Sequence, residues 1–167
     1  DAAETVAAWK SAIERTEGPS VLVLTRQGIP TLSQDTSCAA RGAYIVCDTE
    51  GTPDCILMGT GSELQLAMGA ADLLALRGVQ ARVVSVPCQE LFMEQSAEYR
   101  ESVLPHGVRA RVAVEAACSF GWRALVGLDG AVVGLDRFGA SAPASVLFAE
   151  FGFTAQNVAD TASQLLG

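Results

Sequence analysis

The chain has 167 residues, half of them hydrophobic and 18% charged, a composition that suits one compact domain or one domain with part of another. Eleven Lys and Arg against nineteen Asp and Glu give a formal net charge of −8, so phosphate repulsion disfavours nucleic-acid binding. Apolar runs such as Val21 to Leu24 and Cys55 to Met58 fall far short of the roughly 18 residues a membrane helix needs, which excludes that class.

Val6, Trp9 and Ile13 recur at spacings of three and four, and predict an amphipathic helix over Glu4 to Thr16, stopped by Gly18-Pro19. Ser20 to Thr25 is a continuous aliphatic run between turn formers, which predicts a strand buried on both faces of a parallel sheet. Thr31 to Ala40 is small, polar and aperiodic, and reads as a linker. One helix and one strand cannot cover both faces of that strand. Residues 1–36 are therefore expected to be the end of a larger domain, and 37–167 a domain of their own.

From Arg41 the pattern becomes self-sufficient. Strands are predicted over Ala43 to Cys47 and Cys55 to Met58, and Gly59-Thr60-Gly61-Ser62 opens a helix carrying Leu64, Ala67, Met68, Ala71 and Leu74, which ends at Gly78. A strand over Ala81 to Val86 follows, completing a βαβ unit. Short helices are predicted over Glu90 to Gln95 and Ala97 to Leu104, a strand over Arg111 to Glu115, a helix over Phe120 to Val126 and a strand over Ala131 to Gly134. Helices over Pro143 to Phe148 and Ala155 to Leu166 close the chain, the last capped by Thr154. The expected fold is α/β: three αβα layers around a mostly parallel, five-stranded sheet.

Five cysteines, Cys38, Cys47, Cys55, Cys88 and Cys118, contain no C-x-x-C pair and are expected to stay reduced, with Cys47 and Cys55 in the core. The acidic start Asp1-Ala2-Ala3-Glu4 lacks the basic region of a signal peptide, so the expected location is cytoplasmic.

Gly59-Thr60-Gly61-Ser62-Glu63 joins a strand to a helix, where free backbone N–H groups favour an anion; Gly61 and Ser62 are a candidate anion site. The third glycine of a dinucleotide fingerprint is missing, since Leu64 stands there, and the main reading is a tight turn with Ser62 capping the helix. Asp129-Gly130 and Asn157 have the spacing of a metal-holding pair, but Leu128 precedes the aspartate and Asn157 starts the last helix; they read as turn residues. His106, the only histidine, lies in a loop without a marked partner and reads as solvated. Glu94, Glu98 and Glu101 with Arg100 read as a wet helix face, and no acid pair stands out. Arg26 lies just past the carboxyl end of the first predicted strand, where open parallel sheets bind ligands and a guanidinium can grip a phosphate.

Several blocks in order resemble the C-terminal part of bacterial-type transketolases: Arg41-Gly42-Ala43-Tyr44, Gly59 to Glu63, Val83-Val84-Ser85-Val86-Pro87, Tyr99-Arg100-Glu101-Ser102-Val103-Leu104-Pro105, Val112-Ala113-Val114-Glu115-Ala116, Phe138-Gly139-Ala140-Ser141-Ala142-Pro143 and Glu150-Phe151-Gly152-Phe153-Thr154. The resemblance implies that residues 1–36 end a pyrimidine-binding domain and that 37–167 form the C-terminal domain. It implies an intact enzyme of the pentose phosphate pathway that moves a two-carbon ketol unit from a ketose phosphate to an aldose phosphate. That enzyme would be a cytoplasmic homodimer using thiamine diphosphate with Mg2+ or Ca2+. The family's Ser-Arg-Gln motif reads Thr25-Arg26-Gln27 here, so the resemblance makes Arg26 the substrate phosphate ligand. Cofactor, metal and catalytic residues would lie in other parts of the enzyme, so that this chain alone is expected to bind no cofactor and turn over no substrate. Alternatives are a stand-alone α/β regulatory or interaction module, or the C-terminal domain of deoxyxylulose phosphate synthase or of a 2-oxo acid dehydrogenase β-type subunit. The Tyr99 to Pro105 and Phe138 to Pro143 blocks favour transketolase.

Overall fold

In a computed structural model describing residues 1–32 and 36–167, a mixed five-stranded sheet lies between two helical layers. The strands are β1 (Tyr44–Cys47), β2 (Cys55–Gly59), β3 (Ala81–Ser85), β4 (Arg111–Val114) and β5 (Ala131–Val133). Their order is β1-β3-β2-β4-β5; β3, β2, β4 and β5 run parallel, and β1 closes one edge antiparallel to β3.

The central strands are apolar on both faces because both are covered. Cys55, Leu57, Val83, Val112 and Val114 join a core with α2 (Leu64–Ala75) and α7 (Ala155–Leu166). Ile56, Met58, Val84 and Ala113 face the other way, against Phe92 of α3 (Gln89–Met93), Val103 of α4 (Ala97–Val103), and Leu125 and Val126 of α5 (Arg123–Val126). The period-two alternation along each strand thus divides its side chains between two cores. Thr154 caps α7 as expected, its hydroxyl accepting the Asn157 N–H at 3.1 Å. The remaining helix, α6 (Ala144–Glu150), precedes α7, and Ser119–Trp122 forms a 3-10 turn leading into α5. Part of the expected linker is a 3-10 turn over Thr36–Arg41; its residues 33–35 lie outside the described residues.

The first segment departs from its expectation. Helix α1 (Ala2–Glu14) forms, but its stripe of Val6, Trp9 and Ile13 is exposed, Ile13 at 75%. Residues 20–25 form no strand and have no sheet partner, with Val21 85% and Val23 91% exposed, rather than a strand buried on both faces. Burial of such a run needs neighbouring strands, and none of the described strands pairs with it. Ala7 of α1 packs against the core, and buried Glu4 adds a polar anchor by accepting hydrogen bonds from Tyr44 Oη at 2.9 Å and from the Ser85 hydroxyl. Cys47 also differs from expectation: it is exposed on the edge strand, whereas Cys55 is fully buried.

Candidate functional site

The crossover from β2 through α2 leads to β3 on one side, whereas β4 leads through α5 to β5 on the other. The carboxyl ends of β2 and β4 are neighbours whose chains diverge, so a crevice opens between them; this is the position at which open α/β sheets hold ligands. The chain leaving β2 there is Thr60-Gly61-Ser62-Glu63, with Gly61 at φ +54°, a left-handed conformation that a glycine adopts without strain. The chain leaving β4 is Glu115-Ala116.

Ser62 and Glu63 are both buried. The Ser62 hydroxyl does not cap α2 as expected; it donates to Glu63 Oε1 at 2.6 Å and accepts from Gln27 Nε2 at 3.1 Å. A charged carboxylate is the stronger acceptor, and it draws the hydroxyl away from the helix backbone. Glu63 also accepts a backbone hydrogen bond from Ala116, which ties the β2 turn to the β4 turn. Burial raises the Glu63 carboxyl above its ordinary range, and burial together with the nearby charge of Glu63 lifts Glu115 to about 7. An acid pair therefore stands at this crevice, where none was expected. Its sequence signal is slight: each glutamate lies within a few residues of the carboxyl end of a predicted parallel strand. Any anion bound at Gly61 and Ser62 would lie beside these carboxylates.

Gln27 carries the network outward. Its Oε1 accepts from Thr25 Oγ1 at 2.8 Å while its Nε2 reaches Ser62, so both neighbours of Arg26 belong to one hydrogen-bonded chain. Arg26 itself is exposed and makes no hydrogen bond or ion pair among the described residues. With Gln27 it lines a cleft of about 450 Å³ against Ala142, Ala144, Leu147 and Phe148, at the start of α6. A larger open cleft of about 1130 Å³ separates α1 and residues 19–25 from the turns holding Thr60, Gly61, Pro87 and Cys88.

The other sequence candidates lie elsewhere. His106 is exposed and paired with Glu101, whose carboxylate also accepts the His106 backbone N–H at 3.0 Å. Asp129 is engaged by Arg109, whose Nε donates at 2.6 Å, and Asn157 Nδ2 donates to Gly152 O at 2.9 Å; the two do not form a joint site. Among the described residues no three His, Cys, Asp or Glu side chains gather so that they could hold a metal ion.

Residues 42–154 match the family model for the transketolase-like TK C-terminal domain. The transketolase of a Nostoc species is 51% identical over 170 residues, covering 100% of this chain and 25% of that protein. The transketolase structure from Leishmania mexicana superposes with a TM-score of 0.93 at 42% identity, covering 99% of this chain and 24% of that one. A structure of the Pichia stipitis transketolase in complex with sedoheptulose 7-phosphate gives 0.92 at 42% identity, with the same coverage. The chain spans about a quarter of the length of the curated relatives it matches. With an ordered series of matching blocks, the same sheet and near-complete overlay, the chain belongs to the transketolase family and carries its C-terminal domain.

Proposed function

We propose that this chain serves, within a longer enzyme, the transfer of a two-carbon ketol unit from a ketose phosphate to an aldose phosphate, and that Arg26 binds the sugar phosphate. The observation that carries the reading is the state of Arg26: an exposed guanidinium without a protein partner among the described residues, lining a cleft and flanked on both sides by anchored residues. A guanidinium left without a protein partner among the described residues can offer two parallel N–H groups to a phosphate. The complex of the Pichia stipitis relative with a ketose phosphate supports the substrate class. Of the two anion positions expected from the sequence, Arg26 suits the sugar phosphate, whereas the turn at Gly61 and Ser62 stands beside two carboxylates.

On this reading residues 1–36 complete the pyrimidine-binding domain of the parent and 37–167 are its C-terminal domain. The exposed Val6, Trp9 and Ile13 on α1 and Val21, Val23 and Leu24 beyond it are then the surface that the rest of that domain covers. Thiamine diphosphate supplies the carbanion chemistry in the parent, together with a divalent metal. The described residues do not fit that metal, and the chain's own part is confined to binding and orienting the phosphorylated end of the substrate. The parent is proposed to work as a cytoplasmic homodimer. The test is to compare the purified chain with the full-length enzyme: the chain alone should show no ketol transfer and no calorimetric binding of thiamine diphosphate, and the full-length enzyme should show both. Turnover by the chain alone, or a full-length enzyme without ketol transfer, would overturn the reading.

A further inference from the structure

The hydrogen bonds around Arg26 form a single directed chain. Thr25 Oγ1 donates to Gln27 Oε1, Gln27 Nε2 donates to Ser62 Oγ, and Ser62 Oγ donates to Glu63 Oε1. Every donor in it points the same way, toward the buried carboxylate, and the last link is a charge-assisted bond of 2.6 Å. The chain crosses 35 residues of sequence, from a segment that has no sheet partner to the crevice between β2 and β4. At the far end Glu63 is fixed twice more, by its place in the turn entering α2 and by the Ala116 backbone. Close to Arg26, the Gln27–Ser62 bond is the side-chain hydrogen bond that ties this segment to the sheet domain among the described residues, and Val21, Val23 and Leu24 are exposed.

We propose that Gln27, Ser62 and Glu63 are positioning residues: the buried Glu63 carboxylate, acting through Ser62 and Gln27, fixes the turn that aims Arg26 at the substrate phosphate. The inference rests on the assignment of Arg26 above and adds a mechanism for its preorganisation. Holding the turn that carries Arg26 in place before the substrate arrives removes part of the ordering cost that would otherwise weaken phosphate recognition. Gln27 and Ser62 do not touch the phosphate in this arrangement. Their effect should therefore appear only where a phosphate is being read, and through Arg26 alone.

The experiment uses the full-length enzyme and the ratio of kcat/KM for a phosphorylated aldose acceptor to that for its unphosphorylated counterpart. Ser62→Ala, which cuts the chain in the middle by removing both hydrogen bonds of the Ser62 hydroxyl, should lower that ratio by about fivefold to twentyfold. Gln27→Met, which keeps length and removes the amide, should lower it similarly, and Ser62→Thr, which restores a hydroxyl, should recover most of it. In an Arg26→Ala background Ser62→Ala should lower it no further, because the two act as one unit. Turnover of the unphosphorylated acceptor reports that each variant is folded; if Ser62→Ala fails that check, Gln27→Met decides. A ratio unchanged by Gln27→Met and Ser62→Ala, while Arg26→Ala lowers it, overturns the positioning role and leaves the arginine's role standing. A ratio unchanged by Arg26→Ala overturns both.

Discussion

Tyr44 on the antiparallel edge strand donates a 2.9 Å hydrogen bond to Glu4 on α1, forty residues earlier, and both groups are buried. The hydroxyl of Ser85 on β3, the residue paired with Tyr44 in the sheet, reaches the same carboxylate oxygen. Burial and the facing Glu4 carboxylate push the Tyr44 phenol well above its usual range, so it stays a donor at any working pH. A carboxylate buried with two hydroxyl donors is satisfied; with one removed it is left partly bare. Tyr44→Phe should therefore destabilise the chain by about 1–3 kcal/mol in urea unfolding. Ser85→Ala should cost less than its own full effect when added to Tyr44→Phe, since the two share one acceptor. A Tyr44→Phe change within about 0.5 kcal/mol of zero would show that α1 is held by something else.

Arg111, at the amino end of β4, illustrates the stability work done at the end of the sheet opposite the crevice. Its Nε donates to Val108 O at 2.9 Å, Nη1 to Leu125 O at 2.9 Å, and Nη2 to Leu104 O at 3.1 Å and Pro105 O at 2.8 Å. Four carbonyls from the loop before β4 and from α5 converge on one planar fork. An ammonium has three donors on a single atom and cannot span them. Arg111→Lys should cost about 1–3 kcal/mol of unfolding free energy although it keeps the charge. Equal stability of the two proteins would mean that charge, and not the fork, is what the site requires.

Glu115 makes stability depend on pH in a defined direction. Its folded carboxyl is raised to about 7, chiefly by burial and then by Glu63, while the unfolded value is close to 4.3. Between these values the folded chain binds more protons than the unfolded one, so stability falls as pH rises from about 4.3 to 7 and the penalty is complete above that. Glu115→Gln abolishes this penalty. Since the side chain is only half-buried, water screens part of it, and the variant should gain about 1–2 kcal/mol over wild type at pH 8 and little at pH 4.5. Denaturant midpoints at the two pH values check this; an equal effect at both would show that Glu115 is not strained by charge.

The strands and helices of the sheet domain were legible because each rests on local pattern: apolar runs of strand length, a glycine at a turn, a Thr154 cap. The antiparallel setting of β1 was not, since a four-residue strand carries no mark of its direction. Residues 20–25 show the limit of reading burial from hydrophobicity: Val21 and Val23 are as apolar as Val83 and Val84, yet exposed, because burial depends on neighbours. Arg26 was singled out as a candidate by its place at the end of that run. The Glu63 and Glu115 pair was missed because their approach requires β2 and β4 to be adjacent, and the strand between them in sequence, β3, lies on the other side of β2. Strand order is a property of the whole sheet and leaves no trace at either glutamate.

The most direct test is steady-state kinetics of the full-length enzyme with Arg26→Ala, using phosphorylated and unphosphorylated acceptors side by side. Losing one charge-assisted phosphate contact should weaken transition-state binding of the phosphorylated acceptor by about 1.5–3 kcal/mol, a fall of roughly tenfold to a hundredfold in kcat/KM, and change the unphosphorylated acceptor far less. Equal losses for both acceptors would contradict the account.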